Sequence, residues 1–255
     1  MTTLTVIIAT KNEAPNIVEC IQSVRFADEI IVLDSGSVDG TQDLAKSQGA
    51  NVVELDWPGY GIQQQRGISS SRSEWVLSLD ADERVSEKLK EEIIDSIASK
   101  HIDGFRLPRF SSFCGKFIEH SGWRPDYTLR LARRVKAGFT DHFLHAHMTV
   151  SGNISDLRNP IIHYSYKDID DVLEKLVRYS VGNAKDLHQK GSKSSLSKAL
   201  IHALWAFFRT YLIRLGFLDG SKGLMLAIYN AECTYYKYLK LIELNGLSST
   251  HSKLN

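Results

Sequence analysis

The chain predicts a mixed α/β fold: a mostly parallel sheet, an antiparallel extension, and a helical C-terminal region. Three features point there. Four strand-like apolar runs, Leu4–Thr10, Glu29–Asp34, Asn51–Leu55 and Trp75–Asp80, alternate with helix-like stretches, the spacing of a parallel sheet with crossover helices. From Gly104 to His163 the pattern becomes short β-like pieces punctuated by Gly and Pro, which reads as antiparallel strands carrying loops. From Asp168 onward it turns helical, with breaks near Gly191 and Gly220. These transitions divide the chain into an α/β domain over residues 1–165 and a helical region over residues 166–255.

Each element has a local reason. The first run leads into Ala14–Val24, where Pro15 falls near the helix start and its missing N–H does no harm. The second leads into Gln42–Gln48, which stops at Gly49, a natural left-handed C-cap. The fourth precedes Ser86–Ser99. Ser86 is the N-cap, and acids alternate with lysines around Leu89, Ile93, Ile94 and Ile97, the pattern of an amphipathic surface helix. The polar tail Asn245–Asn255 predicts a frayed end.

The 255 residues suffice for one sizeable core with a helical appendage. A net charge of +1 gives no global nucleic-acid signature, so no nucleic-acid partner is expected. Cys20, Cys114 and Cys233 are far apart and lack Cys-X-X-Cys spacing, which points to reduced thiols in the cytoplasm. The N-terminal residues Met1–Ile8 enter a strand without a basic leader or cleavage site, so the chain is expected to stay where it is made.

The most informative stretch is Trp75-Val76-Leu77-Ser78-Leu79-Asp80-Ala81-Asp82-Glu83, an apolar strand ending in two carboxylates one residue apart. Residues two apart on an extended segment point the same way, so Asp80 and Asp82 can share a pocket. Like charges that close need a counter-charge, or one stays protonated. A hard divalent cation, Mg or Mn, bound jointly to carboxylate and substrate phosphate supplies it. The site falls at the carboxyl end of a strand in an open α/β sheet, where such sheets bind ligands. The first two strands end similarly, in Thr10-Lys11-Asn12-Glu13 and in Asp34-Ser35-Gly36-Ser37-Val38-Asp39-Gly40-Thr41. Asp34 can accept hydrogen bonds from a base or ribose, and Gly36 leaves room for a ligand against backbone. Asp39 is as well suited to capping the next helix as to ligand contact.

These three motifs in order resemble the GT-A domain (Rossmann-like, mostly parallel sheet) of family 2 inverting glycosyltransferases. The stretches Gly122-Trp123-Arg124-Pro125-Asp126-Tyr127-Thr128-Leu129-Arg130-Leu131 and Ile161-Ile162-His163-Tyr164-Ser165-Tyr166 are similar to the lipopolysaccharide core glucosyltransferases, which add a β-1,4-linked glucose to inner-core heptose. The resemblance covers residues 4–240. It implies a UDP-sugar donor, UDP-glucose by kinship, a divalent cation, and displacement with inversion at the anomeric carbon. It also implies that Glu13 and Asp34 hold the uridine with Thr10 and Asn12 beside them. Asp80 would lie near the ribose or a metal-bound water, Asp82 would hold the metal, and His163 would contact the metal or diphosphate.

Two positions depart from the family pattern. The helix before the Asp-X-Asp strand commonly carries a basic residue and an Asn, where this chain has Gln64 and Gln65; Arg66 is the nearby group that could reach phosphate. Where related enzymes read His-Glu, this chain reads His145-Ala146, and alanine has no acid–base function. Asp126, in the acceptor-side loop, is the first choice for general base, and Asp141 the second. His142, His145 and His147 lack a nearby Cys that would complete a structural zinc site, so polar or acceptor contacts are the simpler reading.

Leu196–Phe217 is apolar yet basic, with no acid between Asp186 and Asp219. Central arginines argue against a spanning helix. An in-plane amphipathic helix on the anionic inner leaflet fits, and so does a helix packed on the catalytic domain or on a second subunit. The sequence therefore leads to a cytoplasmic glycosyltransferase peripherally associated with the inner membrane, with a lipopolysaccharide core acceptor and the possibility of oligomers through the C-terminal helices. A polyprenyl-phosphate sugar transferase and a catalytically silent UDP-sugar-binding protein are the alternatives.

Overall fold

The computed structural model describes residues 2–140 and 146–251, without side chains for 248–251. The chain divides into two compact units. The first comprises Met1–Phe110 and Pro125–Tyr164, the second Ser111–Arg124 and Ser165–Asn255.

The first unit opens with β1 (Leu4–Thr10), α1 (Ala14–Ser23), β2 (Glu29–Asp34), α2 (Thr41–Ser47), β3 (Asn51–Glu54), α3 (Tyr60–Ser70) and β4 (Trp75–Asp80). It continues through β5 (Glu83–Val85), α4 (Glu87–Ile97) and β6 (Gly104–Phe113). After β7 (Lys116–Phe117), which pairs with the end of β6 in the second unit, follow β8 (Tyr127–Arg133), β9 (Ala137–Phe139), β10 (Met148–Val150), β11 (Ile154–Asp156) and β12 (Ile161–Tyr166). The main sheet runs β3-β2-β1-β4-β8-β6-β12-β5. Its first four strands are parallel, whereas β8 is antiparallel to both β4 and β6. The expected α/β class with an antiparallel extension is therefore observed, and the predicted limits of β1, β2 and β4 match residue for residue.

Three of the parallel strands, β1, β2 and β4, are buried on both faces, whereas β3 at the sheet edge is partly exposed. Val6, Ile8, Val32, Leu77 and Leu79 pack with Ile17 and Ile21 of α1 on one side, and Ile7, Ile31, Leu33 and Val76 pack with Ile68 on the other. Burial on both faces explains why the runs are continuously apolar rather than alternating. Ser86 caps α4 by accepting from the Leu89 amide, and Gly49 follows α2 at φ +86°. The helix between the third and fourth strands carries no apolar stripe. Its inner face is instead Gly61, Gln63, Gln64, Gly67 and Ile68. A Cβ at Gly67 would stand 2.4 Å from Ile7 Cγ2, so glycine lets α3 lie directly on β1.

In the second unit α5 (Ile169–Gln189), α6 (Leu196–Phe208) and α7 (Ser221–His251) pack together, with α7 against both others. Asp168 caps α5 by accepting from the Asp171 amide. Phe113, Ile118, Tyr166, Leu176, Leu226 and Tyr229 form its core. The expected fraying after Asn245 is not seen through His251. Asn245 is tied in, its amide donating to the Ser192 carbonyl (3.1 Å) and its Oδ1 lying 2.9 Å from His188 Nδ1.

Candidate active site

The strand register gathers the expected residues. Thr10 stands opposite Asp34 across β1 and β2, and Ala9 opposite Asp80 across β1 and β4, so Thr10, Asp34 and Asp80 lie along one edge of the sheet. That edge is the carboxyl end of three adjacent parallel strands. Thr10 is buried, and its Oγ1 has no hydrogen-bond partner among the described residues.

The loops above this edge are cross-tied. Asn12 sits in the left-handed region at φ +56°. Its amide donates to Ser37 Oγ (2.8 Å), and its Oδ1 accepts from the Val38 amide (2.9 Å), joining the loop after β1 to the loop after β2. The Glu13 amide donates to Thr41 Oγ1 (2.9 Å), and Glu13 Oε2 accepts from Asn16 Nδ2 (2.8 Å). Asp39 accepts from the amides of Ala14 (3.0 Å) and Thr41 (3.1 Å), which gives it a capping and bracing part in this arrangement. Asp34 is fully buried. Its Oδ1 accepts from the Gly36 and Ser37 amides and from Gln42 Nε2, and its Oδ2 from Ser37 Oγ. Gly36 takes φ +78° with open space where a Cβ would stand, so a ligand can approach the backbone there.

Asp80 has a partner that sequence reasoning did not assign. Arg130 of β8 donates from Nη2 to Asp80 Oδ2 (2.7 Å) and to Glu83 Oε1 (2.9 Å), while its Nη1 donates to Tyr60 Oη (3.1 Å). Tyr60 in turn donates to Asp80 Oδ1 (2.6 Å), and Glu83 Oε2 accepts from the Asp80 amide (3.0 Å). Burial alone would raise the Asp80 pKa, but the Arg130 charge and the hydrogen bonds from Tyr60 and Arg130 outweigh it and hold the carboxyl at about 2. For Glu83, which is fully buried, burial dominates and pushes the carboxyl up, with the Asp80 charge adding to it against Arg130. The counter-charge for the first carboxylate of the pair is thus a guanidinium inside the protein.

Asp82 faces a different group. Its Oδ2 lies 3.5 Å from His163 Nε2, and its carbonyl accepts from the Tyr164 amide (2.9 Å), both on β12. The antiparallel register places His163 opposite Glu83. Burial disfavours the imidazolium, yet the Asp82 contact outweighs it and raises the His163 pKa above its ordinary value. A carboxylate and an imidazole this close fit a cation. Among the described residues, though, no group of three or more His, Cys, Asp or Glu side chains could hold one unaided. A cation between them would have to complete its shell from a ligand's phosphates and water, as Mg²⁺ commonly does.

Arg66, Gln65 and Asp126 make other contacts, whereas Gln64 touches the cluster through Tyr60. Arg66 Nη1 donates to Asp56 Oδ1 (2.6 Å) and to Gln63 Oε1 (3.3 Å). Gln64 Nε2 donates to Tyr60 Oη (3.3 Å), and Gln65 Oε1 accepts from the Phe139 amide (3.0 Å). Asp126 Oδ2 accepts from both Nε (2.9 Å) and Nη2 (2.7 Å) of Arg109, with the Asp126 side chain still 41% exposed. Asp141, His142 and His145 lie outside the described residues. Tyr60, Glu83 and Arg130 are the members that sequence reasoning missed. Glu83 and Arg130 stand inside quoted motifs, but only strand pairing shows that they meet.

The chain is also similar to known proteins. The profile of the family described as Glycosyl transferase family 2 matches residues 5–152. An uncharacterized glycosyltransferase of Rickettsia bellii (strain RML369-C) is 32% identical over 254 residues, spanning 93% of this chain and 85% of the relative. The lipopolysaccharide core biosynthesis glycosyltransferase LpsC of Rhizobium meliloti (strain 1021) is 28% identical over 246 residues, spanning 89% of this chain and 90% of LpsC. The crystal structure of S. aureus TarS 1-349 in complex with UDP-GlcNAc shares the fold with a TM-score of 0.52 at 15% identity, over 95% of this chain and 89% of that chain. With a family profile over more than half its length and a relative above 30% identity along nearly all of it, this chain, GT-A-like in fold, belongs to glycosyl transferase family 2.

Proposed function

We propose that this glycosyltransferase moves a hexose, glucose from UDP-glucose, onto a sugar of a lipopolysaccharide core with inversion at the anomeric carbon. The observation that carries the reading is the single sheet edge holding Thr10, Asp34 and Asp80, with Asp82 and His163 immediately beyond it. The acceptor class is supported by the similarity to LpsC along nearly the whole chain.

In this reading the uracil and ribose lie over Thr10, Asn12, Glu13 and Asp34. The unpartnered Thr10 Oγ1 receives a ligand hydrogen bond, and the open face of Gly36 admits the nucleotide against backbone. A divalent cation held by Asp82 and His163 would supply positive charge to the departing diphosphate. Asp80, fixed by Arg130 and Tyr60, is the rigid wall beside it, suited to a ribose hydroxyl or a metal-bound water. Arg66 would have to leave Asp56 to reach a phosphate. The acceptor hydroxyl attacks C1 as the C1–O bond to the diphosphate breaks, and its proton passes to Asp126, which Arg109 orients through one oxygen. Asp141 is the second candidate for that proton.

The test is transfer from α-linked UDP-glucose to purified, deacylated lipopolysaccharide core, with the product's anomeric configuration read by NMR. A β-linked product supports the reading. Retained configuration, or no transfer from any UDP-hexose, overturns it. Ala146, where the family resemblance implies an acid, favours one second reading: a polyprenyl-phosphate acceptor, already ionised, needs no base. Radiolabel partitioning with polyprenol rather than with the core sugar would select it.

A further inference from the structure

The helix α6 of the second unit turns its large apolar side chains outward. Leu200, Ile201, Leu204, Trp205, Phe208 and Leu212, on two adjacent i, i+4 rows of α6 and the π-helical turn that continues it (Arg209–Ile213), are 45–71% exposed. The opposite face meets α7 with small residues. Ala199 and Thr210 are buried there, and Thr210 Oγ1 accepts from Asn230 of α7 (3.2 Å). An ordinary surface helix is built the other way round, with its bulky apolar stripe against the core.

The charged residues of this segment have one sign. Between Asp186 and Asp219 there is no acidic residue, while Lys190, Lys193, Lys198, Arg209 and Arg214 fall in the same stretch. Arg209 continues the row of Ile201 and Trp205 and is exposed. No helix among the described residues is long and apolar enough to cross a membrane.

We propose that this face of α6 lies in the plane of an anionic lipid surface, with the leucines and Trp205 at the headgroup–acyl boundary and the basic residues among the headgroups. Charge decides between this occupant and a second copy of the chain. A two-fold interface sets the same patch against itself, so Arg209 would face its own copy with no acid in the segment to neutralise it. Anionic headgroups neutralise it directly, and the exposed rows supply the apolar contact that such helices need. The inference stands on this surface alone and does not depend on which sugar the enzyme accepts.

The test is flotation of the full chain with phosphatidylethanolamine vesicles containing about 30 mol% phosphatidylglycerol, against phosphatidylcholine vesicles. The wild type should float with the anionic vesicles at least about tenfold better, and high salt should weaken that binding. The variant Leu204→Glu/Trp205→Glu alters two exposed positions. It should lose that binding by at least about tenfold while keeping its melting temperature and its turnover on a water-soluble acceptor. Quenching of tryptophan fluorescence by brominated lipid should disappear in Trp205→Phe, a readout that survives if the double variant fails to fold. The proposal is overturned if the wild type stays in solution, if binding is unchanged in the variants, or if ultracentrifugation shows a dimer that the double variant dissociates.

Discussion

Replacing Arg130 by Met removes the cation that Asp80 and Glu83 share while keeping the bulk of the side chain. The guanidinium lies 2.7 Å from Asp80 and 2.9 Å from Glu83; its own side chain is 8% exposed and that of Glu83 is 0%. Breaking a buried ion pair from one side costs about 3–5 kcal/mol because the remaining charge is left without a partner. Two carboxylates are left here, so the upper part of that range applies. At roughly 2–4 °C per kcal/mol for a chain of this size, the transition of the first unit should fall by about 8–20 °C. The pH dependence has a definite sign. In the wild type Arg130 holds Asp80 at about 2, so its contribution to stability is present above the ordinary carboxylate range and lost as pH falls toward that value. Without Arg130, burial and mutual repulsion raise both carboxyl pKa values, and the folded variant takes up protons in mild acid. The deficit should therefore be full near about pH 7.5 and shrink as pH falls through about 5. Scanning calorimetry at both pH values measures this, and adding Glu83→Gln should restore part of the loss at neutral pH. A deficit under about 1 kcal/mol, an equal deficit at both pH values, or no recovery with Glu83→Gln would refute the electrostatic account.

Three further substitutions probe the proposed chemistry. Asp82→Asn should cut turnover by about 10²–10³-fold, equivalent to roughly 3–4 kcal/mol of lost charge stabilisation, and chelation should disable the wild type while changing the variant little; near-normal turnover in the variant removes the metal role. Asp34→Asn should weaken UDP binding by about 1.5–3 kcal/mol, as the loss of a charge-assisted hydrogen bond does, and unchanged affinity by titration calorimetry would leave Asp34 only its loop-bracing bonds. Asp126→Asn should lower turnover by about 10²–10⁴-fold with UDP affinity intact; if only Asp141→Asn does so, the proton goes there instead.

What the sequence determined by itself was the scaffold and the position of its candidate active edge. Strands buried on both faces leave unbroken apolar runs, and each hands over to a helix through polar residues, so β1, β2 and β4 and the placement of Thr10, Asp34, Asp80 and Asp82 could be read locally. The helix α3 has no such signature because it buries glycines and glutamines, whose value appears only when Ile7 is seen packed against Gly67. Tertiary structure alone decided what neutralises Asp80. Arg130 stands 50 residues further along the chain and reaches it because β8 pairs antiparallel with β4. Such a pairing leaves no periodicity in either segment. The sequence could require a counter-charge for the two carboxylates, since like charges repel wherever they meet, but its identity depends on which strand becomes the neighbour. In the same way the apolar, basic character of α6 was legible, while the direction its leucines face was set by the small residues that seat it on α7.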